Sequence, residues 1–106
     1  MRLIHYHKLV RDRIPEIIRT AGKECTCSVM NDDDYLTALD EKLNEELKEY
    51  QESKSMEELA DLLEVIRAVA AARGSSIEEV ERIRVEKARE RGEYKLKLFL
   101  EEVVEE

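Results

Sequence analysis

Chain breakers are nearly missing from this sequence. It holds 3 Gly and 1 Pro in 106 residues, and none of them lies between Lys23 and Arg73. β-Sandwiches and barrels need turn residues every few positions, so the chain is confined to long helices with short connections. The few breakers present fall where helices should begin or end. Pro15 suits the first turn of a helix carrying Val10, Ile14, Ile17 and Ile18, with Asp12 as the expected N-cap and Gly22 as the stop. Asn31, followed by Asp32, Asp33 and Asp34, supplies a cap and first-turn acids for a second helix running to about Glu52. Ser55 with Glu58 opens a third, from Met56 to about Arg73, which Gly74 stops. Ser76 with Glu79 opens a fourth, ending near Arg91 before Gly92. Connections this short make sequential helices antiparallel neighbours. The expected fold is all-α: an antiparallel bundle of about four helices in a single domain, 1–106.

Two segments read differently. Residues 24–30 are rich in small and β-favouring types. In 94–100, Tyr94, Leu96, Leu98 and Leu100 alternate with Lys95, Lys97 and Phe99, so a short two-stranded ribbon of 24–30 with 94–100 is one expectation. A C-terminal helix over Leu96–Val104 is the other. Cys25 and Cys27 are too close in sequence for an easy bridge and have no second pair to complete a zinc site, so they read as reduced, semi-buried thiols.

Composition narrows the function. Hydrophobic and charged residues each make up 42%, which excludes a disordered chain. The net charge of −8 disfavours binding to a nucleic-acid polymer through its phosphate backbone. A phosphate-bearing ligand would need metal ions between itself and so acidic a surface. No stretch reaches the roughly 20 apolar residues of a membrane span. The first residues lack the apolar core of a secretory signal, and a cytoplasmic protein is expected.

The chemistry concentrates in two acidic motifs, Glu46-x-x-Glu49 and Glu58-x-x-Asp61. Residues three apart share a helical face, so each motif aims two carboxylates one way. If the two helices are antiparallel about Ser53-Lys54, Glu46 lies level with Asp61 and Glu49 level with Glu58. Glu46 falls on the edge of the stripe formed by Leu36, Leu39, Leu43, Leu47 and Tyr50, where a bare carboxylate is unfavourable. Asp61 sits mid-helix among leucines. Clustered carboxylates resist ionising together unless a cation intervenes, and an all-oxygen donor set suits Mg²⁺ or Mn²⁺. Acids are abundant here, however, and the same spacings arise on solvated helix faces. Glu58 also fits the role of capping residue for Ser55. The residues alone leave metal binding and solvation both open.

Glu45, Glu46 and Glu49, followed by Glu58 and Asp61, resemble the EExxE and ExxD helices of the all-α nucleoside triphosphate pyrophosphohydrolases, the MazG-like superfamily. Tyr6-His7-Lys8-Leu9-Val10-Arg11-Asp12-Arg13-Ile14-Pro15 is similar to the N-terminal signature of a phosphoribosyl-ATP pyrophosphohydrolase-like branch. Lys42–Glu46, Glu58–Glu64 and Lys87–Tyr94 also fit that branch, so the resemblance covers roughly residues 6–100. The interval from Glu49 to Glu58 is shorter than in many such proteins. Val85 stands where an asparagine is often found, and Tyr94 replaces a phenylalanine.

The resemblance implies that Glu46, Glu49, Glu58 and Asp61 hold Mg²⁺ on a triphosphate, with Mn²⁺ as an alternative. It implies cleavage between the α and β phosphates, giving a nucleoside monophosphate and pyrophosphate, with clean-up of noncanonical nucleotides as a candidate role. Glu45 or Glu49 is the candidate to orient the attacking water. Lys87 and Arg91, four apart on one helical face, are candidate phosphate ligands, and Lys8 and Arg11 could add contacts. The same basic residues also suit a helix C-terminus and surface ion pairs. Two other readings stand beside this one: hydrolysis of phosphoribosyl-ATP in histidine synthesis, and a non-catalytic helical interaction module. The third helix is apolar over much of its circumference, so a homodimer or dimer of dimers is expected.

Overall fold

The computed structural model describes residues 2–106. It contains four helices: α1 Ile14–Thr20, α2 Asp32–Ser53, α3 Met56–Ala72 and α4 Ile77–Arg91. No strand forms among the described residues, and the fold is all-α. Among the described residues, no helix is long and apolar enough to cross a membrane.

The caps of α2, α3 and α4 lie where the sequence places them. The Asn31 side chain accepts from the Asp34 amide at 2.8 Å, Ser55 from Glu58 at 3.2 Å, and Ser76 from Glu79 at 3.1 Å. Each satisfies an amide that the first helical turn leaves without a partner. At the end of α3, Gly74 takes φ +83°, and the Ser75 amide reaches back to the Ala70 carbonyl at 2.8 Å. This closing bond uses a left-handed residue that only glycine adopts without strain.

α2 and α3 form an antiparallel hairpin, and α4 packs against α3. The hairpin holds the core: Ala38 and Leu39 from α2, Val65 and Ala70 from α3. Leu39 is the most enclosed of these, at 3% exposure.

Three expectations are corrected. α1 begins at Ile14 behind Arg13, which makes no capping bond; Asp12 belongs to the preceding turn. The ribbon of 24–30 with 94–100 does not form, and neither does a helix over 96–104. Val29, Leu96, Leu98, Phe99 and Leu100 are all exposed. A two-stranded ribbon needs a third strand or a helix against its apolar face, and α1–α4 offer it none. The cysteines are unbridged, with Cys25 half-buried as expected but Cys27 exposed.

Candidate metal centre

The α2–α3 hairpin brings the acidic residues together. Carboxylate oxygens of Glu46, Glu58 and Asp61 lie within 4.8 Å of one another, and so do those of Glu45, Glu46 and Glu49. Glu46 belongs to both groups. Oxygens bound to one cation at 2.0–2.6 Å stand at about such separations, so this convergence suits a hard divalent ion. Glu49 also lies against both Glu46 and Glu58, close enough to raise the pKa of each.

Glu46 is 7% exposed, the only buried charged residue among those described. One of its oxygens faces the Lys42 ammonium at 3.7 Å; the other, Oε2, is buried with no hydrogen-bond partner. An unpartnered buried carboxylate oxygen is unfavourable, and a helix whose acids served only solvation would turn it outward. Burial is the largest cause raising the Glu46 pKa, followed by the negative charge of Glu49; Lys42 opposes them.

Glu58 is not spent on capping. Its amide donates to Ser55, but the Ser55 amide donates instead to Ser53 Oγ at 3.2 Å, so the reciprocal half of the capping box is taken by a serine. The Glu58 carboxylate is left free, with Oε2 buried and unpartnered. Its pKa is raised by desolvation first, then by Glu49 and Asp61.

Three cations border the acids. Lys42 reaches Glu45 at 3.2 Å as well as Glu46. Arg11 donates to Asp61 Oδ1 at 2.7 Å, and Lys8 stands 3.9 Å from Glu45. Together Lys8, Val10, Arg11, Ile14, Lys42, Glu46 and Asp61 line a cleft of about 270 Å³. The segment before α1 is thus one wall of the site. Lys87 and Arg91 are elsewhere: they line a concavity with Arg84, Tyr94 and Lys95, built from the end of α4 and the following chain. The acids of α2 and α3 are not part of it.

Lys42 is the site residue that sequence reasoning passed over. Its spacing of three and four from Glu45 and Glu46 was the available signal. The Arg11–Asp61 pair joins residues 50 apart, which no local spacing reveals.

A stretch of 42 residues is 52% identical to an uncharacterized protein of Mycolicibacterium smegmatis, covering 40% of this chain and 43% of that protein. The match therefore spans less than half of that relative's length. No family model matches the chain, and no solved structure matches it.

Proposed function

We propose that this chain is a Mg²⁺-dependent nucleotide pyrophosphohydrolase, cleaving the α–β anhydride of a nucleoside triphosphate to a monophosphate and pyrophosphate. The observation that carries the reading is Glu46: nine-tenths buried, with an unpartnered oxygen, at the meeting point of two acidic triads. Glu46, Glu49, Glu58 and Asp61 would hold the metal. The donor set is all oxygen and includes two orphaned buried oxygens, which fits Mg²⁺ or Mn²⁺. When bound, the metal supplies charge neutralisation for the phosphates and a lowered pKa for a bound water.

The protein's own residues do the rest. Glu45, shared between Lys42 and Lys8, would accept a proton from the attacking water. Lys8 and Arg11 stand at the cleft wall, where phosphates enter. Phosphoryl transfer needs positioning and charge compensation more than covalent chemistry, and this cleft offers both.

The reading includes a second copy of the chain. The protein exposes 10103 Å², against roughly 6,100 Å² for a folded monomer of its mass. Its radius of gyration is 19.0 Å, against about 13 Å for a compact domain of this length. The extended ends account for part of the excess, but Leu47, Leu59, Leu63, Val80 and Ile83 on the helices are exposed as well.

The test is pyrophosphate release from a panel of canonical and modified nucleoside triphosphates and phosphoribosyl-ATP, with Mg²⁺ and with chelator. Glu46→Gln and Asp61→Asn run beside the wild type. Metal-dependent release that both variants lose by about 10²-fold or more is expected. Activity indifferent to chelator or to both substitutions would sink the reading.

A further inference from the structure

We propose that the segment before α1 is a cation-exchange arm: Arg11, with Lys8, neutralises the acids while no metal is bound, and a divalent cation releases Arg11 to hold a phosphate group of the substrate. This rests on the metal-dependent reading above and specifies how that site is regulated.

The argument starts from charge balance. Glu45, Glu46, Glu49, Glu58 and Asp61 converge, and Lys8, Arg11 and Lys42 are the cations set against them. These cations are not equivalent. Lys42 lies on the same helix as its acids and its side chain is only 17% exposed, so it is a fixed counter-charge. Arg11 and Lys8 come from a non-helical segment, and both their pairs are half-exposed. Exposed ion pairs are weakly held and readily exchanged.

Arg11 also pairs with a carboxylate that a metal would need. Its Nη2 donates to Asp61 Oδ1 at 2.7 Å, a short charge-assisted bond to a carboxylate of the Glu46–Glu58–Asp61 group. A divalent ion drawing Asp61 inward would meet the guanidinium at the same carboxylate, and two cations on one carboxylate repel. The arm is tethered close by: Ile14 opens α1, is half-buried, and its amide donates to the Arg11 carbonyl at 3.1 Å. A displaced Arg11 side chain therefore stays at the mouth of the cleft that Val10, Arg11 and Ile14 help to line. The planar guanidinium fork matches a phosphate as well as it matches a carboxylate.

This makes Arg11 act with opposite sign on two ligands, and the experiment reads both. Mn²⁺ affinity is measured by electron paramagnetic resonance of the free ion. Pyrophosphate affinity for the Mn²⁺-loaded full chain is measured by calorimetry. Arg11→Ala should tighten Mn²⁺ binding by about two- to fivefold, the range expected of an exposed ion pair. The same variant should weaken pyrophosphate binding by about tenfold. Arg11→Lys should fall between wild type and Arg11→Ala in both. Arg13→Ala removes the same charge from the same segment, but Arg13 pairs with Glu16 and not with the acids, so it should change neither affinity.

Mn²⁺ binding unchanged or weakened in Arg11→Ala would make Arg11 a structural anchor and overturn the proposal. Tighter Mn²⁺ binding with unchanged pyrophosphate affinity would overturn the hand-over to phosphate. Equal effects from Arg13→Ala would reduce both results to net charge and overturn it too. A wild type that binds no Mn²⁺ would instead overturn the metal-dependent reading itself, and the titration reports that separately. Far-UV circular dichroism confirms that each variant is folded.

Discussion

At the scale of single residues, Glu46 is where the metal-site reading and the solvated-face reading make different predictions. Glutamine has its shape without its charge, so Glu46→Gln removes repulsion from Glu49 and Asp61 at a buried position. The metal-free variant should be more stable than wild type by about 1 kcal/mol, which is about 4–8 °C in melting temperature for a chain this long. Mg²⁺ should raise the wild-type melting temperature and leave that of the variant nearly unchanged. Thermal unfolding with Mg²⁺ and with chelator checks both halves. A variant less stable than wild type without metal would show that Glu46 is a structural partner of Lys42. The same repulsion gives a pH dependence. Glu46 and Glu58 both titrate above their ordinary 4.5, so the folded chain binds more protons than the unfolded one between that value and their raised values. Their contribution therefore favours folding as pH falls into this window and is lost as pH rises through it. Metal-free protein should accordingly melt higher in mild acid than at neutral pH. Metal affinity should run the other way, rising with pH as the carboxylates ionise.

At the scale of elements, the register of the α2–α3 hairpin places the acids, and Lys54 sets that register. It ends α2 in the left-handed region at φ 59°, with its amide donating to the Tyr50 carbonyl at 2.7 Å. A side chain with a Cβ is strained there and glycine is not. Lys54→Gly should stabilise the chain by about 0.5–1 kcal/mol, after the lost contact of Lys54 over the Tyr50 ring and the added freedom of the unfolded chain are counted. Mn²⁺ affinity should be unchanged, because the register is kept. Chemical denaturation and metal titration check the two. This hairpin was legible in the sequence because its signals are local: Asn31 and Ser55 cap within three residues, and the acids repeat at helical spacing. Residues 94–100 misled because alternation marks a strand only where another element supplies hydrogen bonds and cover. The start of α1 misled for a related reason. Asp12 is a good cap by type, yet the chain turns through Asp12 and Arg13 and enters the helix one residue later. The Arg11–Asp61 pair was invisible because it depends on where the segment before α1 comes to lie against α3.

At the scale of the whole molecule, the surface of α3 argues for a second copy. At 100° per residue, Asp61, Leu62, Val65 and Val69 face α2, while Met56, Leu59, Leu63, Ile66 and Ala70 form a second stripe roughly a quarter-turn or more away. Ala70 on that stripe is buried, but Met56, Leu59 and Leu63 remain 69%, 37% and 57% exposed. A two-fold axis level with Asp61 would run two α3 helices antiparallel, setting Leu59 of one copy against Leu63 of the other, and Met56 against Ile66. Such a self-complementary contact closes on itself, as a dimer requires. Obligate dimers bury about 2,000 Å² or more, and the surface this chain exposes beyond that of a compact monomer is large enough to supply it. The wild-type melting temperature should therefore rise with protein concentration, and light scattering should give at least twice the 12.4 kDa chain mass. Leu63→Glu would place two carboxylates in the contact and should leave a monomer whose melting temperature is lower and independent of concentration. A wild type that scatters as a monomer, with Leu63→Glu equally stable, would show instead that this stripe faces water.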